Sequence, residues 1–218
     1  MGTAAHEGIQ VGTEEMIKNY FSNYYIISDL HINEEIKLRY IVPRISKLLP
    51  QGEAEVKLEC DEFIGYIDWL VPVGDDEYDI YDFKYSNNQE GYLKSPQIHL
   101  YKYYFEKLNP TKHIRKLHYV FLPKVMIRQK KTEDLFQFRK RLQETLEALD
   151  ISKESCIKEV TYDEHKILEF FKERDVCVSA TSFPKNKTRL CDWCPYKELC
   201  HNNNPLNIVE TINKKGKR

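Results

Sequence analysis

Two aspartates and a lysine in residues 65–84, which read GYIDWLVPVGDDEYDIYDFK, have side chains suited to metal-assisted chemistry. Asp68 lies in one alternating apolar run and Asp82 in the next, and a glycine with acidic neighbours separates the runs. This pattern predicts a β-hairpin. Because side chains alternate across a strand, Asp82 and Lys84 share one face of the second strand while Phe83 points to the other.

Two carboxylates beside an ammonium group can share a pocket. Carboxylate oxygens are ligands that Mg²⁺ and Mn²⁺ prefer, and a lysine can orient a water or offset charge on a phosphate. Asp68 is informative, since a carboxylate within the apolar run 64–71 is costly without a partner. The ordinary alternative for Asp82 and Lys84 is an exposed strand edge with no role. We expect both side chains on the solvent-facing side of the hairpin.

Two further pairs of residues flank the hairpin. Gly2 and His6 form G-x-x-x-H upstream, and Gln97 and Tyr101 form Q-x-x-x-Y downstream. The i,i+4 spacing of the second pair puts both side chains on one face of a helix. The ordinary alternatives are a surface histidine and a tyrosine that packs in the core.

In this order, G-x-x-x-H, G-x-x-D, D-x-K and Q-x-x-x-Y resemble the PD-(D/E)XK nuclease superfamily, specifically its RecB-like branch. Each motif is weak alone, and the ordered set is specific. The resemblance implies an α/β fold with a restriction-endonuclease-like core, in which helices flank a central mixed sheet. It also implies that Lys84 assists the attacking water and that Gln97 and Tyr101 help to hold the DNA and the site.

The resemblance further implies that His6, Asp68 and Asp82 bind Mg²⁺ or Mn²⁺. The backbone carbonyl of Phe83 is a fourth expected ligand, because the side chain of Phe83 faces the core and leaves the carbonyl near the metal. Glu55 loosely matches an acidic residue that the family often has before the hairpin.

Three cysteines, Cys191, Cys194 and Cys200, form a second specific pattern, CDWCPYKELC. Thiolates at this spacing can converge on one metal or cluster, and a fourth ligand completes a tetrahedral zinc site or a four-iron cluster. In iron–sulfur members of the RecB-like branch, a similar triplet joins an N-terminal cysteine. That cysteine is not at its family position in this sequence, so Cys177, His201, a residue outside this sequence or no residue takes its place.

Because the x₂ and x₅ spacings match those of the family, the resemblance favours a [4Fe–4S] cluster slightly over Zn²⁺. Free or disulfide-bonded thiols on a tail are the third interpretation. Six cysteines, three of them clustered, are more typical of metal ligands than of disulfides in such a chain.

Length and composition narrow the remaining possibilities. The 218 residues are enough for a single domain with one hydrophobic core and a few additional segments. Because the net charge is only −1, any nucleic acid must be bound by local basic patches. Mean hydropathy is −0.61, and no apolar run approaches the roughly 20 residues that cross a bilayer. We therefore expect a cytoplasmic protein with a nuclease domain at 1–185, a cysteine knuckle packed on it at 186–202 and a basic tail at 203–218.

Hydrophobic periodicity predicts the elements around the hairpin. Helices are predicted over residues 3–25, 33–49, 95–108, 132–149 and 163–174, with Asn33 and Thr132 as N-caps and a kink at Pro43. Strands are predicted over residues 53–60, 113–122 and 156–162. A polar loop follows Lys84, and a basic cluster that can meet phosphates follows the strand 113–122: Lys124, Arg128, Lys130 and Lys131.

The favoured function is a metal-dependent DNA nuclease, an exonuclease that acts on single-stranded or duplex ends in recombination, repair, phage replication or CRISPR adaptation. One alternative is a DNA-binding or scaffold module that keeps the fold without cutting. Another is the nuclease subunit of a helicase–nuclease complex. The sequence has no G-x-x-x-x-G-K-[ST] loop, so a motor would be another chain, and recombination or CRISPR proteins are the expected partners.

Overall fold

The computed structural model describes residues 1–182 and 184–202. The chain divides into two compact units, Met1–Phe171 and Lys172–Arg218. The predicted basic tail at 203–218 lies outside the described residues, and the domain bounds 1–185 and 186–202 remain a prediction.

A five-stranded mixed sheet forms the centre of the first unit, in the order β1-β2-β3-β4-β5. Neighbouring strands are antiparallel except β3 and β4, which are parallel. A parallel pair needs a long crossover connection, and the helices between β3 and β4 supply it. The strands are β1 Glu53–Cys60, β2 Phe63–Gly74, β3 Glu77–Tyr85, β4 His113–Leu122 and β5 Ile157–Val160.

Helices cover both faces of this sheet, which confirms the predicted α/β class. One buried cluster joins Phe83 and Val120 to five helices, and a second joins Ile80 and Leu117 to two helices. The first set is α1 Gly2–Val11, α2 Thr13–Ser22, α3 Asp29–Ser46, α6 Leu135–Glu147 and α7 Lys153–Cys156, and the second is α5 Gln97–Leu108 and α8 Glu164–Ser179. The remaining helices are α4 Gln89–Leu93 and α9 Lys197–Asn202.

The predicted N-terminal helix at 3–25 is wrong as a single element. Gly12 divides it into α1 and α2 with φ 89° and ψ 165°, a conformation that only glycine adopts readily. The next helix begins earlier than predicted, because Ser28 rather than Asn33 precedes its first turn and pairs with His31 in a capping box. This helix continues through Pro43 and ends at Ser46.

Two other predictions of local structure need correction. The polar loop after Lys84 contains α4, because Asn88 accepts a hydrogen bond from the Gly91 amide and starts a short helix. Helix α6 starts after Asp134 rather than Thr132, because the Asp134 carboxylate accepts the Gln137 amide at 2.8 Å. By contrast, β1 and β4 have the predicted bounds, because β1 alternates and β4 is a run rich in apolar and aromatic residues that ends before Pro123.

The second unit contains part of α8, a short 3₁₀ helix at Arg189–Trp193 and α9. No helix in the described residues of either unit has the length and apolar character to cross a membrane.

Candidate active site

The predicted site residues meet where β2 and β3 stop pairing. Pairing of the two strands runs from Gly74 and Glu77 to Trp69 and Tyr81, so Asp68 lies just past its end. The Asp68 carboxylate accepts a hydrogen bond from the Phe83 amide at 2.7 Å. The Asp68 side chain of β2 thus accepts the Phe83 N–H of β3 at the position where the two strands no longer pair.

Asp82 is buried, with only 1% of its surface exposed. The prediction of a solvent-facing carboxylate is therefore wrong. Asp82 lies on the sheet face that carries Ile80, and this face is covered because β4 and α5 pack beside it. Lys84 is on the same face, as predicted, but its side chain is only 13% exposed, so the prediction of a solvent-facing side chain is wrong for Lys84 as well.

The carboxylate of Asp82 lacks hydrogen-bond partners. Its Oδ2 lies 2.6 Å from Nζ of Lys84, which is an ion pair. The contact is not aligned as a hydrogen bond, and neither oxygen of Asp82 has a hydrogen-bond partner in the part of the chain that the structure describes. A buried carboxylate without hydrogen bonds is unfavourable, so a bound cation would stabilise it.

The two carboxylates have raised pKa values. Burial raises the pKa of Asp82 to about 7, against the opposing effect of Lys84, and the charge of Asp68 raises it further. Burial also raises the pKa of Asp68, while His6 and the amide of Phe83 lower it. Both carboxylates are therefore poorly solvated anions, a state that marks functional sites and that a divalent cation relieves.

Lys84 heads a short chain of polar contacts. Its Nζ donates to Oε1 of Gln97 at 3.0 Å, and Nε2 of Gln97 donates to the hydroxyl of Tyr101 at 2.8 Å. Burial raises the pKa of Tyr101 to about 12, so this hydroxyl is protonated at neutral pH. The Q-x-x-x-Y pair therefore reaches the site as predicted, and its first contact is with the lysine.

Two aromatic residues near Lys84 escaped the sequence analysis. The ammonium group lies 5.4 Å from the ring centroid of Tyr92 and 5.9 Å from that of Tyr119. Aromatic faces attract cations, so both rings help to hold Lys84. Tyr119 is directly opposite Asp82 on β4, a register that local periodicity does not reveal.

His6 reaches the site from the first helix. Its Nδ1 lies 3.7 Å from Oδ2 of Asp68, and its ring meets that of Phe83 edge to face at 5.7 Å. The structure therefore brings His6 and Asp68 together, as the motif order predicts. The separation exceeds a hydrogen-bond length.

Glu55 also lies near the carboxylates, and its negative charge contributes to the raised pKa of Asp68. Its backbone has φ 53°, an uncommon conformation for this residue type, although it lies within β1. Gln10 donates to its carboxylate at 2.8 Å. Gln10 was missed, and its i,i+4 spacing from His6 is the signal that could have found it. A cavity of about 320 Å³ is lined by Thr3, His6, Glu7, Gln10 and Glu55.

The donor set suits a hard divalent cation. Within the described residues, no three histidine, cysteine or acidic side chains converge as a complete metal cage. Mg²⁺ is usually held by one or two carboxylates together with waters and substrate phosphates. Asp68 and Asp82 fit that mode, and the unpartnered oxygens of Asp82 are the structural reason.

Cys191, Cys194 and Cys200 are free thiols, which excludes disulfides between them in this structure. Cys191 lies in the 3₁₀ helix, where its sulfur accepts a hydrogen bond from the Thr188 amide at 3.3 Å, and Cys200 lies in α9. Across residues 1–182 and 184–202, which include the candidates Cys177 and His201, no three histidine, cysteine or acidic side chains lie close enough together to hold a metal ion. The cysteine cluster stays a prediction.

Fold and site together have the form of an α/β nuclease core, with helices on both faces of a mixed sheet and paired carboxylates beside a lysine. A family model for the PD-(D/E)XK nuclease superfamily matches residues 13–201. The chain belongs to this superfamily. Asp68, Asp82 and Lys84 fall inside the matched region and His6 falls outside it. A search of the curated proteins and a search of the solved structures found no match.

Proposed function

We propose that this protein is a divalent-metal-dependent deoxyribonuclease of the RecB-like branch that hydrolyses phosphodiester bonds at DNA ends. One observation carries the proposal: Asp68 and Asp82 lie where two strands separate, with Lys84 in contact with Asp82 at 2.6 Å. Superfamily membership adds independent support for nuclease chemistry.

Asp68 and Asp82 would hold Mg²⁺ or Mn²⁺, with His6 and the carbonyl of Phe83 as the further proposed ligands. A bound ion supplies positive charge to the phosphate and makes a bound water more acidic. The hydrogen bond from the Phe83 amide orients the Asp68 carboxylate. Burial of Asp82 keeps solvent from competing for its oxygens.

Lys84 would orient the attacking water or offset charge on the phosphate. Asp82 and Gln97 contact the ammonium group at 2.6 and 3.0 Å, and a lysine has three N–H donors. Gln97 takes one of these donors, so a remaining N–H can point to a water or a phosphate oxygen. Gln97, itself bonded to Tyr101, acts as a positioning residue for Lys84.

A cleavage assay with a matched pair of variants tests this proposal. End-labelled single-stranded and duplex DNA would be incubated with Mn²⁺, with Mg²⁺ or with EDTA. We expect cleavage only with metal, and loss of it in Lys84→Met. Lys102→Met is the control, because Lys102 is also a half-buried, ion-paired lysine but contacts Glu106 on α5.

Three outcomes decide between the candidate functions. Cleavage by Lys84→Met at the rate of the unchanged protein would refute the assigned site. Binding without cleavage by the unchanged protein under all metal conditions would favour the non-cleaving scaffold. Cleavage that appears only after a helicase partner is added would favour the nuclease subunit of a larger complex.

The proposed exonuclease mode has its own test. An exonuclease requires an end, so a circular single strand should survive while the linear strand of the same sequence is degraded. Equal degradation of both forms would show endonuclease activity.

A further inference from the structure

The chain that follows β4 presents cations on one side. Burial alternates along it: Val125 is 7% exposed and Ile127 is half-buried, whereas Lys124, Met126 and Arg128 are exposed. This alternation is that of an extended chain, which advances ~3.3 Å per residue. Lys124 and Arg128 therefore project on the same side, roughly 13 Å apart.

Specific contacts hold this segment. Asn87 and Lys124 exchange two hydrogen bonds of 2.8 Å, one in each direction, through the Asn87 side chain and the Lys124 backbone. Arg141 donates to the carbonyl of Arg128 at 2.9 Å. The same guanidinium holds Glu133 through two bonds of 2.7 Å, which offsets the negative charge of Glu133. The backbone is thus fixed while the outward cations remain available.

Four cations of this segment have no ion-pair partner within the described part of the chain, and all are exposed: Lys124, Arg128, Lys130 and Lys131. On a protein with a net charge of −1, four unpaired cations within eight residues form a local basic patch. Such a patch is complementary to a phosphate backbone.

This basic segment, residues 124–131, begins where β4 ends. Lys84 pairs with Phe121 across β3 and β4, so the segment leaves the sheet at the end of the strand that carries Lys84. A groove of about 470 Å³ has Lys124 and Arg128 on its wall, together with Tyr85, Glu34 and Lys37. Its lining also includes the first turn of the helix that carries His6.

Exposed apolar side chains lie immediately before α3 and in its first turn. Tyr25 is fully exposed, Ile26 is 82% exposed and Leu30 is 64% exposed. Leu30, Glu34 and Lys37 follow i,i+4 and i,i+3 spacing on α3, so they share one face. Leu30 therefore lies on the face of α3 that lines the groove, and the loop at 24–30, whose last two residues begin α3, leads into that face. Exposed apolar surfaces commonly mark binding sites.

We propose that the basic segment and the loop at 24–30 form a track for a single strand of DNA that leads to the active site. The cations bind successive phosphates, and Tyr25 stacks on an unpaired base. A cationic groove with exposed aromatic side chains is the usual design of single-strand binding sites. A duplex keeps its bases stacked inside and makes no use of the loop. This proposal rests on the proposed nuclease function, because it takes the site at the end of the track to be a nuclease active site.

Binding measured in EDTA tests the track without cleavage. Fluorescence anisotropy of a labelled single strand, over a range of salt concentrations, would compare the unchanged protein with Lys124→Ser/Arg128→Ser. We expect at least tenfold weaker binding. The slope of log affinity against log salt should fall by about 1.4, since each lost phosphate contact removes about 0.7 for single strands.

Lys47→Ser/Lys153→Ser is the matched control, because both lysines are exposed and lie near the opposite end of α3. It should leave the affinity and the slope unchanged. Equal effects of the two double variants would overturn the phosphate track.

Tyr25→Ser tests the preference for a single strand. It should weaken single-strand binding at least fivefold and leave duplex binding unchanged, because only unpaired bases stack on a side chain. A duplex bound as tightly as the single strand, with Tyr25→Ser neutral, would overturn the single-strand assignment and favour a protein partner for the loop.

The outcomes also separate this proposal from the nuclease proposal. A protein that binds a single strand through the basic segment but cuts nothing with Mn²⁺ contradicts the nuclease function alone. A protein that cuts DNA, while Lys124→Ser/Arg128→Ser binds with unchanged affinity and salt slope, contradicts the track alone.

Discussion

At the scale of single residues, Asp82 is a buried carboxylate that a bound cation would stabilise. Its carboxylate is 1% exposed and has no hydrogen-bond partner within the described residues, yet it contacts Lys84. Such a residue makes the metal-free protein less stable, but its carboxylate is a strong ligand for a cation. Function and stability are therefore opposed at this position.

Because of its raised pKa, the effect of Asp82 on the stability of the metal-free protein depends on pH. Because burial raises the pKa to about 7, the folded protein binds more protons than the unfolded chain between about pH 4 and pH 7. The contribution of Asp82 to stability is therefore full below about pH 4 and is lost as pH rises through about 7. Above that pH, the buried charge leaves a cost on the order of a few kcal/mol.

Asp82→Asn should remove that cost in EDTA. The amide carries no charge and keeps an oxygen that faces Lys84. Urea unfolding should show a variant more stable than the unchanged protein by a few kcal/mol near pH 8, by roughly the cost above, and a much smaller difference near pH 4.5. Asp29→Asn is the control, because Asp29 is in an exposed ion pair with Arg139. An equal gain at both pH values would contradict the burial of a charged carboxylate as the cause.

At the scale of elements, the break between α1 and α2 orients the helix that carries His6. Gly12 has φ 89° and ψ 165°, and a Cβ added there meets no atom within 4 Å. Any loss of stability on substitution therefore comes from backbone strain and not from crowding.

Gly12→Ala should destabilise the protein by about 1–3 kcal/mol, since that backbone region is nearly restricted to glycine. Thermal unfolding would measure this change. Gly2→Ala is the matched control, because Gly2 is also uncrowded but has no positive φ, and alanine favours helices. If the two variants unfold at the same temperature, the strain at Gly12 is refuted.

The cysteine segment allows a prediction at the same scale. If Cys191, Cys194 and Cys200 bind a [4Fe–4S] cluster, protein purified without oxygen should be brown and absorb near about 400 nm. Cys194→Ser should lose the colour and part of the stability. Zn²⁺, with His201 as a fourth ligand, would instead give a colourless protein with one metal per chain.

Cys156→Ser is a useful comparison, since Cys156 is a buried cysteine in α7 outside the CDWCPYKELC pattern. It should keep the metal. Freshly purified protein with neither iron nor zinc, and six titratable thiols, would rule out both metal proposals.

At the scale of the whole molecule, metal binding should couple to folding, because β2, β3 and α1 all contribute to the site. A ligand present at a hundred times its dissociation constant stabilises the folded state by about 2.7 kcal/mol. For a domain of this size, that corresponds to a rise in Tm of roughly 5–10 °C.

Mn²⁺ should therefore raise the Tm of the unchanged protein, and more near pH 8 than near pH 5.5. The reason is that Asp82, with its pKa raised to about 7, must release its proton to the solvent before it binds a cation. Scanning calorimetry with and without Mn²⁺ measures the shift, and Asp82→Asn should reduce it strongly. A shift in Tm that is the same at both pH values, or the same in the variant, would exclude Asp82 as a ligand.

The amino-acid sequence by itself determined the hairpin, the strands β1 and β4 and the types of residue at the site. These features depend on local periodicity and on motif order, which act over a few residues. The order of the motifs also indicated the superfamily, and the family match and the mixed sheet confirm that level of the interpretation.

Only the tertiary structure decided that Asp82 is buried, that Asp68 bonds the Phe83 amide and that Tyr119 faces Lys84. Each of these facts depends on which element covers a sheet face and on the register between strands distant in sequence. Alternation assigns a side chain to a face, but it does not say whether a helix or water lies against that face. The pKa of about 7 at Asp82 follows from that covering, because desolvation is a property of the packed fold.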